Sequence, residues 1–195
     1  MLASMNVGEL RLIDPDTVGV ENLAAQGYTE SDIELPKTEA TGSACIERNS
    51  AISIRGYSQK FVSAHLSVHD PDKRLAVFAC VDAMSARKTI KKAAQRRNAF
   101  FVDGRMGPEV ARVLAAYGFN DYAYYNSTLF SDTEMLQVRC TAKTTLYCAN
   151  ICAGLMVHQM TRWLRGYPID KDTLFNLLAS EITLNVDSGQ TARTA

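Results

Sequence analysis

The sequence predicts an α/β fold with a mainly parallel, twisted sheet flanked by helices. Two observations carry that expectation. Short apolar or alternating runs that end in carboxylates recur along the chain, and segments of helical spacing fill the intervals between them. Glu9-Leu-Arg-Leu-Ile13 alternates like a strand and stops at Asp14-Pro-Asp16, which places carboxylates at a sheet edge. Lys37 to Arg48 has helical spacing and follows Pro36, a residue favoured where helices begin. Ala51-Ile-Ser-Ile-Arg55 alternates again as a second strand. After the turn His69-Asp-Pro-Asp-Lys73, the apolar run Leu75 to Val81 reads as a buried strand of a parallel sheet, and it too ends in a carboxylate, Asp82.

Ala83 to Arg97 is helical by length and spacing, and Ala99-Phe-Phe-Val102 is the next buried strand, closed by Asp103 and Gly104. In Glu109 to Tyr117 the positions of Val110, Val113, Leu114 and Tyr117 fit a helix, whereas the β-branched content fits a strand, so both readings stand. Leu146 to Arg165 is the longest helix, stopped by Gly166 and Pro168. Thr173 to Leu184 reads as a final strand or an interface segment. No stretch rich in Gly, Ser or Pro divides the chain, so residues 1–186 are expected to form one domain and 187–195 a loose polar tail.

Composition narrows the function. Of 195 residues 47% are hydrophobic and 22% charged, as in an ordinary globular domain, which excludes fibrous and low-complexity classes. Lys plus Arg and Asp plus Glu are both 21, so no overall charge favours a polyanion, and a nucleic-acid site would need a local patch. The helix Ala86 to Arg97 carries six cations, but Ile90, Ala93 and Ala94 give it an apolar stripe, the pattern of a solvated helix face rather than a nucleic-acid site. Five scattered cysteines, Cys45, Cys80, Cys140, Cys148 and Cys152, suit a reducing, cytoplasmic setting. The most apolar stretch, Leu146 to Leu164, is interrupted by Asn150, His158, Gln159 and Arg162, so no membrane span is expected.

The residues that could carry chemistry lie at strand ends. Asp14 and Asp82 stand where open α/β sheets bind ligands, and two readings fit them: ribose and magnesium ligands, or caps of the following helices. Asp103-Gly-Arg-Met-Gly107 follows a buried strand as either an ordinary tight turn or a close backbone approach to substrate. Cys148 and Cys152 are four apart on a predicted helix and share a face, the arrangement of core packing rather than metal binding. His65, His69 and His158 have no ligand spacing, and Tyr122, Tyr124 and Tyr125 serve packing or partner contact equally well.

Taken in order, Leu12-Ile-Asp-Pro-Asp-Thr-Val18, Glu21-Asn-Leu-Ala-Ala-Gln26, Pro36-Lys37 and Val81-Asp-Ala-Met-Ser-Ala-Arg87 resemble the ThiF/MoeB/HesA family, bacterial relatives of ubiquitin-activating enzymes. The resemblance runs from about Leu2 to Gly166 and implies a Rossmann-like fold. It implies an ATP-dependent adenylyltransferase that converts the C-terminal carboxylate of a small ubiquitin-like or sulfur-carrier protein into an acyl adenylate. By the same resemblance Asp14 holds the ATP ribose, Asn22 and Gln26 lie near the phosphates, Lys37 meets the α-phosphate and Asp82 binds Mg²⁺. Arg87 falls where such proteins often carry an arginine for the nucleotide, or else lies on a solvated helix face. Arg139-Cys-Thr-Ala-Lys143 resembles the crossover loop of thioester-forming members, so Cys140 is either an acyl acceptor activated by two flanking cations or an unreactive thiol. The paired Cys-x-x-Cys motifs of zinc-containing relatives are absent, so no zinc is expected. A homodimer or heterodimer is implied as the assembly.

The sequence also departs from the family pattern. The opening strand, Gly-rich loop and helix that cradle phosphates are not found, and Leu2 to Glu9 resembles the end of that helix, so the domain is expected to be incomplete at its N-terminus. Ala25 replaces the arginine of Asn-Leu-x-Arg-Gln, and Ala83 replaces the asparagine that follows the magnesium Asp. Two alternatives therefore accompany the enzyme reading: a catalytically inactive subunit of the same fold that serves dimerisation or partner binding, and, more remotely, a nucleic-acid module that uses the basic helix.

Overall fold

The computed structural model describes residues 1–67, 72–131 and 145–184, and its chain divides into two compact units, Met1–Ser67 and Val68–Ala195. The fold is mixed α/β, with parallel strand pairs flanked by helices in each unit.

In the first unit β1 (Glu9–Ile13) pairs in parallel with β2 (Ser53–Tyr57), in the register Glu9 with Ser53 through Ile13 with Tyr57. The chain between them forms α1 (Val20–Gln26) and α2 (Lys37–Arg48), so strand, helix and strand make a βαβ crossover. Gly42 lets α2 approach the strands closely, because a Cβ there would lie 3.3 Å from the Ile54 side chain and 3.8 Å from that of Leu12.

The second unit is built on a five-stranded sheet in the order β3-β4-β5-β6-β7. Strand β3 (Ala76–Ala79) is parallel to β4 (Phe100–Met106) across α3 (Met84–Arg96), which completes a second βαβ crossover. Beyond β4 the pairing turns antiparallel. A tight turn in which Gly107 N donates to Val110 O (2.8 Å) folds β5 (Val110–Ala116) back against β4. Glu109 to Tyr117 is thus a strand, and its apolar run is continuous because Ala111, Val113, Leu114, Ala115 and Ala116 are buried between two neighbouring strands. The segment Thr173 to Leu184 is a hairpin of two strands, β6 (Asp172–Asn176) and β7 (Glu181–Leu184), turned at Ser180 with a φ of 55°.

Helix α4 (Phe119–Ser127) follows β5, and α5 (Leu146–Leu164) is the longest described helix. The C-terminus of α5 closes as expected at Gly166, whose φ of 74° lets Tyr167 N reach back to Arg162 O at 2.9 Å. Alternation along β4 sorts the helices onto two faces. Phe100 stacks on Trp163 of α5 at 5.1 Å between ring centroids, and Gly104 lies under Cys152 and Met156 of the same helix. The intervening Phe101 and Asp103 face Tyr125 of α4, and Asp103 also meets Arg87 of α3. No described helix is long and apolar enough to cross a membrane.

Gly104 is where α5 comes closest to the sheet. A Cβ on it would lie 2.7 Å from Met156 Sδ and 3.1 Å from Cys152 Sγ. Gly104→Ala is therefore expected to displace α5 and lower stability by about 1–3 kcal/mol, the usual cost of overpacking. Urea unfolding of the variant checks this, and an unchanged midpoint would refute the close approach.

Candidate functional site

The end of β1 gathers two of the residues singled out from the sequence, Asp14 and Lys37, with Asp16 between them. Asp14 N donates to Tyr57 O (3.2 Å), which carries the parallel ladder one step past the strand, and Asp14 Oδ1 accepts from Asp16 N at 2.9 Å. The loop that follows is stitched to the start of α2: Val18 N donates to Leu35 O (2.9 Å), Glu34 N to Val18 O (2.9 Å) and Lys37 N to Asp16 O (3.0 Å). Lys37, the first residue of α2, thereby stands over the strand end with its Nζ 3.3 Å from Asp16 Oδ2. Asp16 is 65% exposed and the Lys37 side chain 13%, so the lysine stem is largely covered while its partner lies in water, and the pair at 3.3 Å is a weak one that an incoming anion can exchange.

Asn22 and Gln26 lie on α1. The Asn22 side chain accepts from Gly19 N (2.9 Å) while Asn22 N donates to Gly19 O (2.9 Å), a reciprocal cap that fixes the start of the helix. Its Oδ1 is thus engaged in holding the helix start. Gln26 is the exposed last residue of α1, and Gly27 in the left-handed region (φ 73°) ends the helix there.

In the second unit Asp82 sits between β3 and α3, at the carboxyl end of a parallel strand. It is exposed, with no hydrogen bond or ion pair among the described residues. An exposed carboxylate in this position fits Mg²⁺, which keeps most of its shell as water and phosphate oxygen and needs only one or two protein carboxylates. Among the described residues no group of three or more His, Cys, Asp or Glu side chains is arranged to hold a metal ion.

Arg87 lies neither on a solvated face nor at the surface. It is 5% exposed and makes an ion pair through Nη1 with Asp103, whose side chain is fully buried, and Nη1 also donates to Gly104 O at 3.3 Å. Asp103 accepts in addition from Arg105 Nε (2.7 Å) and from the Tyr125 hydroxyl (2.9 Å). Arg105 continues the network to Thr128 O (2.8 Å) and Thr128 Oγ1 (3.1 Å). Burial, with the Asp103 charge second, pushes the Tyr125 phenol up, so it stays a proton donor to that carboxylate. The segment Asp103 to Met106, expected to be a turn, belongs to β4 because its charged residues are satisfied inside the sheet's flank.

Asp103, Arg105, Tyr125 and Thr128 are the polar centre that sequence reasoning missed. The only local signal was a carboxylate and an arginine two residues apart at the end of an apolar run. The three tyrosines pack, each with a partner: Tyr122 OH donates to Ala99 O (2.9 Å) and Tyr124 OH to Asp172 Oδ2 (2.7 Å), beside the Tyr125 contact. Of the cations on α3, Arg87 and Lys91 are buried, and burial lowers the Lys91 pKa, with Lys92 second. Lys88, Lys92, Arg96 and Arg97 are exposed. Cys148 and Cys152 are buried on α5, as their spacing predicts, and burial pushes the Cys152 thiol up to about 12. Cys140, with Arg139 and Lys143, lies outside the described residues, as does His69.

The sequence matches the ThiF family over residues 1–194. The chain belongs to the ThiF family. No curated protein matches it. Among solved structures this ThiF chain is similar to E. coli MccB with ATP, at a TM-score of 0.73 and 18% identity over 94% of the chain and 57% of MccB. It is also similar to E. coli MccB with MccA (TM-score 0.72, 18% identity, 100% of this chain and 60% of that one). A third likeness is to PaaA (TM-score 0.69, 19% identity, 93% and 65%). At these identities the likeness is one of fold, and the ThiF chain spans less than two thirds of each of these structures.

The ion pairs of the two units predict costs of different size on mutation. Arg87→Met removes one partner of a buried pair and is expected to destabilise by about 3–5 kcal/mol. Lys37→Met keeps the stem and breaks only a surface pair, so its cost is expected to stay under about 1 kcal/mol. Denaturant midpoints of the two variants decide the matter, and equal costs would contradict it.

Proposed function

We propose that this ThiF protein is an ATP-dependent adenylyltransferase. Its acyl substrate is the C-terminal carboxylate of a small protein of the ubiquitin-like or sulfur-carrier type. The observation that carries the reading is Asp82: an exposed carboxylate without a partner among the described residues, at the carboxyl end of a parallel strand, in a chain of this family. The solved MccB complexes with ATP and with MccA support the choice of nucleotide and of a protein or peptide partner.

In this reading Asp82 holds Mg²⁺ and Lys37 faces the α-phosphate. Asp14 takes the ribose, and Asn22 and Gln26 lie toward the phosphates. The substrate carboxylate attacks the α-phosphorus in line and pyrophosphate leaves. Negative charge grows on the phosphoryl oxygens as it does so, and the Lys37 ammonium lowers the barrier by meeting charge that develops only there. Asp82 would hold Mg²⁺, which when bound would supply positive charge to offset that of the leaving pyrophosphate. Arg87, assigned to the nucleotide by resemblance, acts instead as a positioning residue: its pair with Asp103 anchors the first turn of α3 and so the loop that presents Asp82. Cys140 is the proposed acceptor if the acyl group moves on to a thioester, and Cys140→Ser tests that step separately. The replacements Ala25 and Ala83 favour, as the second reading, an inactive ThiF subunit that serves dimerisation or partner binding.

ATP–pyrophosphate exchange in the presence of carrier separates the two readings. Exchange is expected in the native chain and is expected to fall roughly 10²-fold or more in Asp82→Ala and in Lys37→Met, with their melting temperatures unchanged. Full exchange in Asp82→Ala would overturn its magnesium role. Absence of both exchange and ATP binding in the native chain would leave the subunit reading.

A further inference from the structure

Two thiols outside the nucleotide reading come to the same residue of the sheet, Gly104. Ala79 of β3 is in register with Asp103 of β4, so the next residue, Cys80, comes beside Gly104. By alternation, Cys80 belongs to the same sheet face as Phe78, Val102 and Gly104, which is the face that α5 covers. Gly104 has no side chain there. Cys152 of α5 fills the space above it, with Sγ 3.1 Å from where a Cβ would stand. A side chain on residue 104 would meet Cys152 on this face, and glycine leaves that space to the thiol. The Cys80 thiol contributes, after burial, to pushing the Cys152 thiol up to about 12. Cys80 is exposed and Cys152 is buried, so one member of the pair is reached by a reagent before the other, although desolvation, with the Asp103 charge second, pushes the Cys80 thiol up to about 11 and slows its attack. Cys148 is a poorer partner for Cys152, because residues four apart on one helix project side by side rather than toward each other.

We propose that Cys80 and Cys152 are an oxidisable pair that closes to a disulfide between the end of β3 and α5. The co-reactant is a low-molecular-weight disulfide such as oxidised glutathione. The Cys80 thiol loses its proton and attacks one sulfur of that disulfide, forming a mixed disulfide and releasing one small thiol. Cys152 Sγ, deprotonated in turn, attacks the Cys80 sulfur, forms the Sγ–Sγ bond and expels the second small thiol. Two protein thiols are oxidised, one small disulfide is reduced, and the two protons end on the leaving thiols. The bond closes a loop of about 70 residues, which restricts the unfolded chain and so stabilises the fold. It does not depend on the nucleotide reading.

The full chain incubated with oxidised glutathione at pH 8, quenched with acid, alkylated and digested without reduction gives the test by mass spectrometry. A linked peptide pair containing Cys80 and Cys152 is expected in the native chain and in Cys148→Ser, and is expected to be lost in Cys80→Ser. Cys80→Ser alters an exposed residue, and a melting temperature equal to that of the reduced native chain verifies that it folds. Oxidation is expected to raise the melting temperature of the native chain by several degrees and to leave Cys80→Ser unmoved. Recovery of Cys80 only as its glutathione adduct, or of Cys152 linked to Cys148, or of both thiols alkylated, would overturn the proposal.

Discussion

The second unit is organised around the fully buried carboxylate of Asp103, one of two such carboxylates with Asp172. Asp103 is wholly removed from solvent and takes the charge of Arg87, the Nε of Arg105 and the hydroxyl of Tyr125. An isolated carboxylate in such a place would be strongly destabilising, and only a complete set of partners makes the position tolerable. Those partners come from three directions: Arg87 from the first turn of α3, Arg105 from the same strand and Tyr125 from α4. Satisfying Asp103 therefore fixes two helices against one face of the sheet at once. Arg87 is five residues beyond Asp82, so the same interaction sets where the β3–α3 loop leaves the strand.

The opposite face depends on a different constraint. Gly104, the neighbour of Asp103 on β4, is bare so that α5 can come down onto the sheet, with Cys152 and Met156 in the space that a side chain would take. Two adjacent residues thus serve the two faces, one by charge and one by absence. The first unit has no such centre: β1, α2 and β2 form an ordinary crossover, and the loop after Asp14 is held by backbone hydrogen bonds to residues 34–37. That difference fits the contrast between the buried pair at Arg87 and the surface pair at Lys37.

Much of this was legible in the sequence wherever the signal is local. The limits of α2, α3 and α5 follow from Pro36, from apolar spacing and from Gly166, and the strand-end carboxylates Asp14 and Asp82 lie where the runs preceding them stop. Family membership likewise followed from short motifs in order. What stayed hidden is long-range. Val110, Val113 and Leu114 mimic helical spacing because β5 is buried on both faces, and nothing local shows that. The hairpin after Thr173 turns on Leu177 to Ser180, without glycine or proline to mark it. Arg87 carried no sign that its partner sits sixteen residues on, at a place that looked like a turn.

The central claim is that a nucleotide with magnesium meets this chain at the ends of its parallel strands. Amide hydrogen–deuterium exchange of the native chain with and without Mg²⁺ and ATP tests it most directly, because each backbone position reports separately. Slowed exchange is predicted in two places, residues 14–37 and residues 82–87, with the β6–β7 hairpin unaffected. Exchange unchanged by nucleotide, or slowed only at the hairpin or on the outward face of α3, would contradict it.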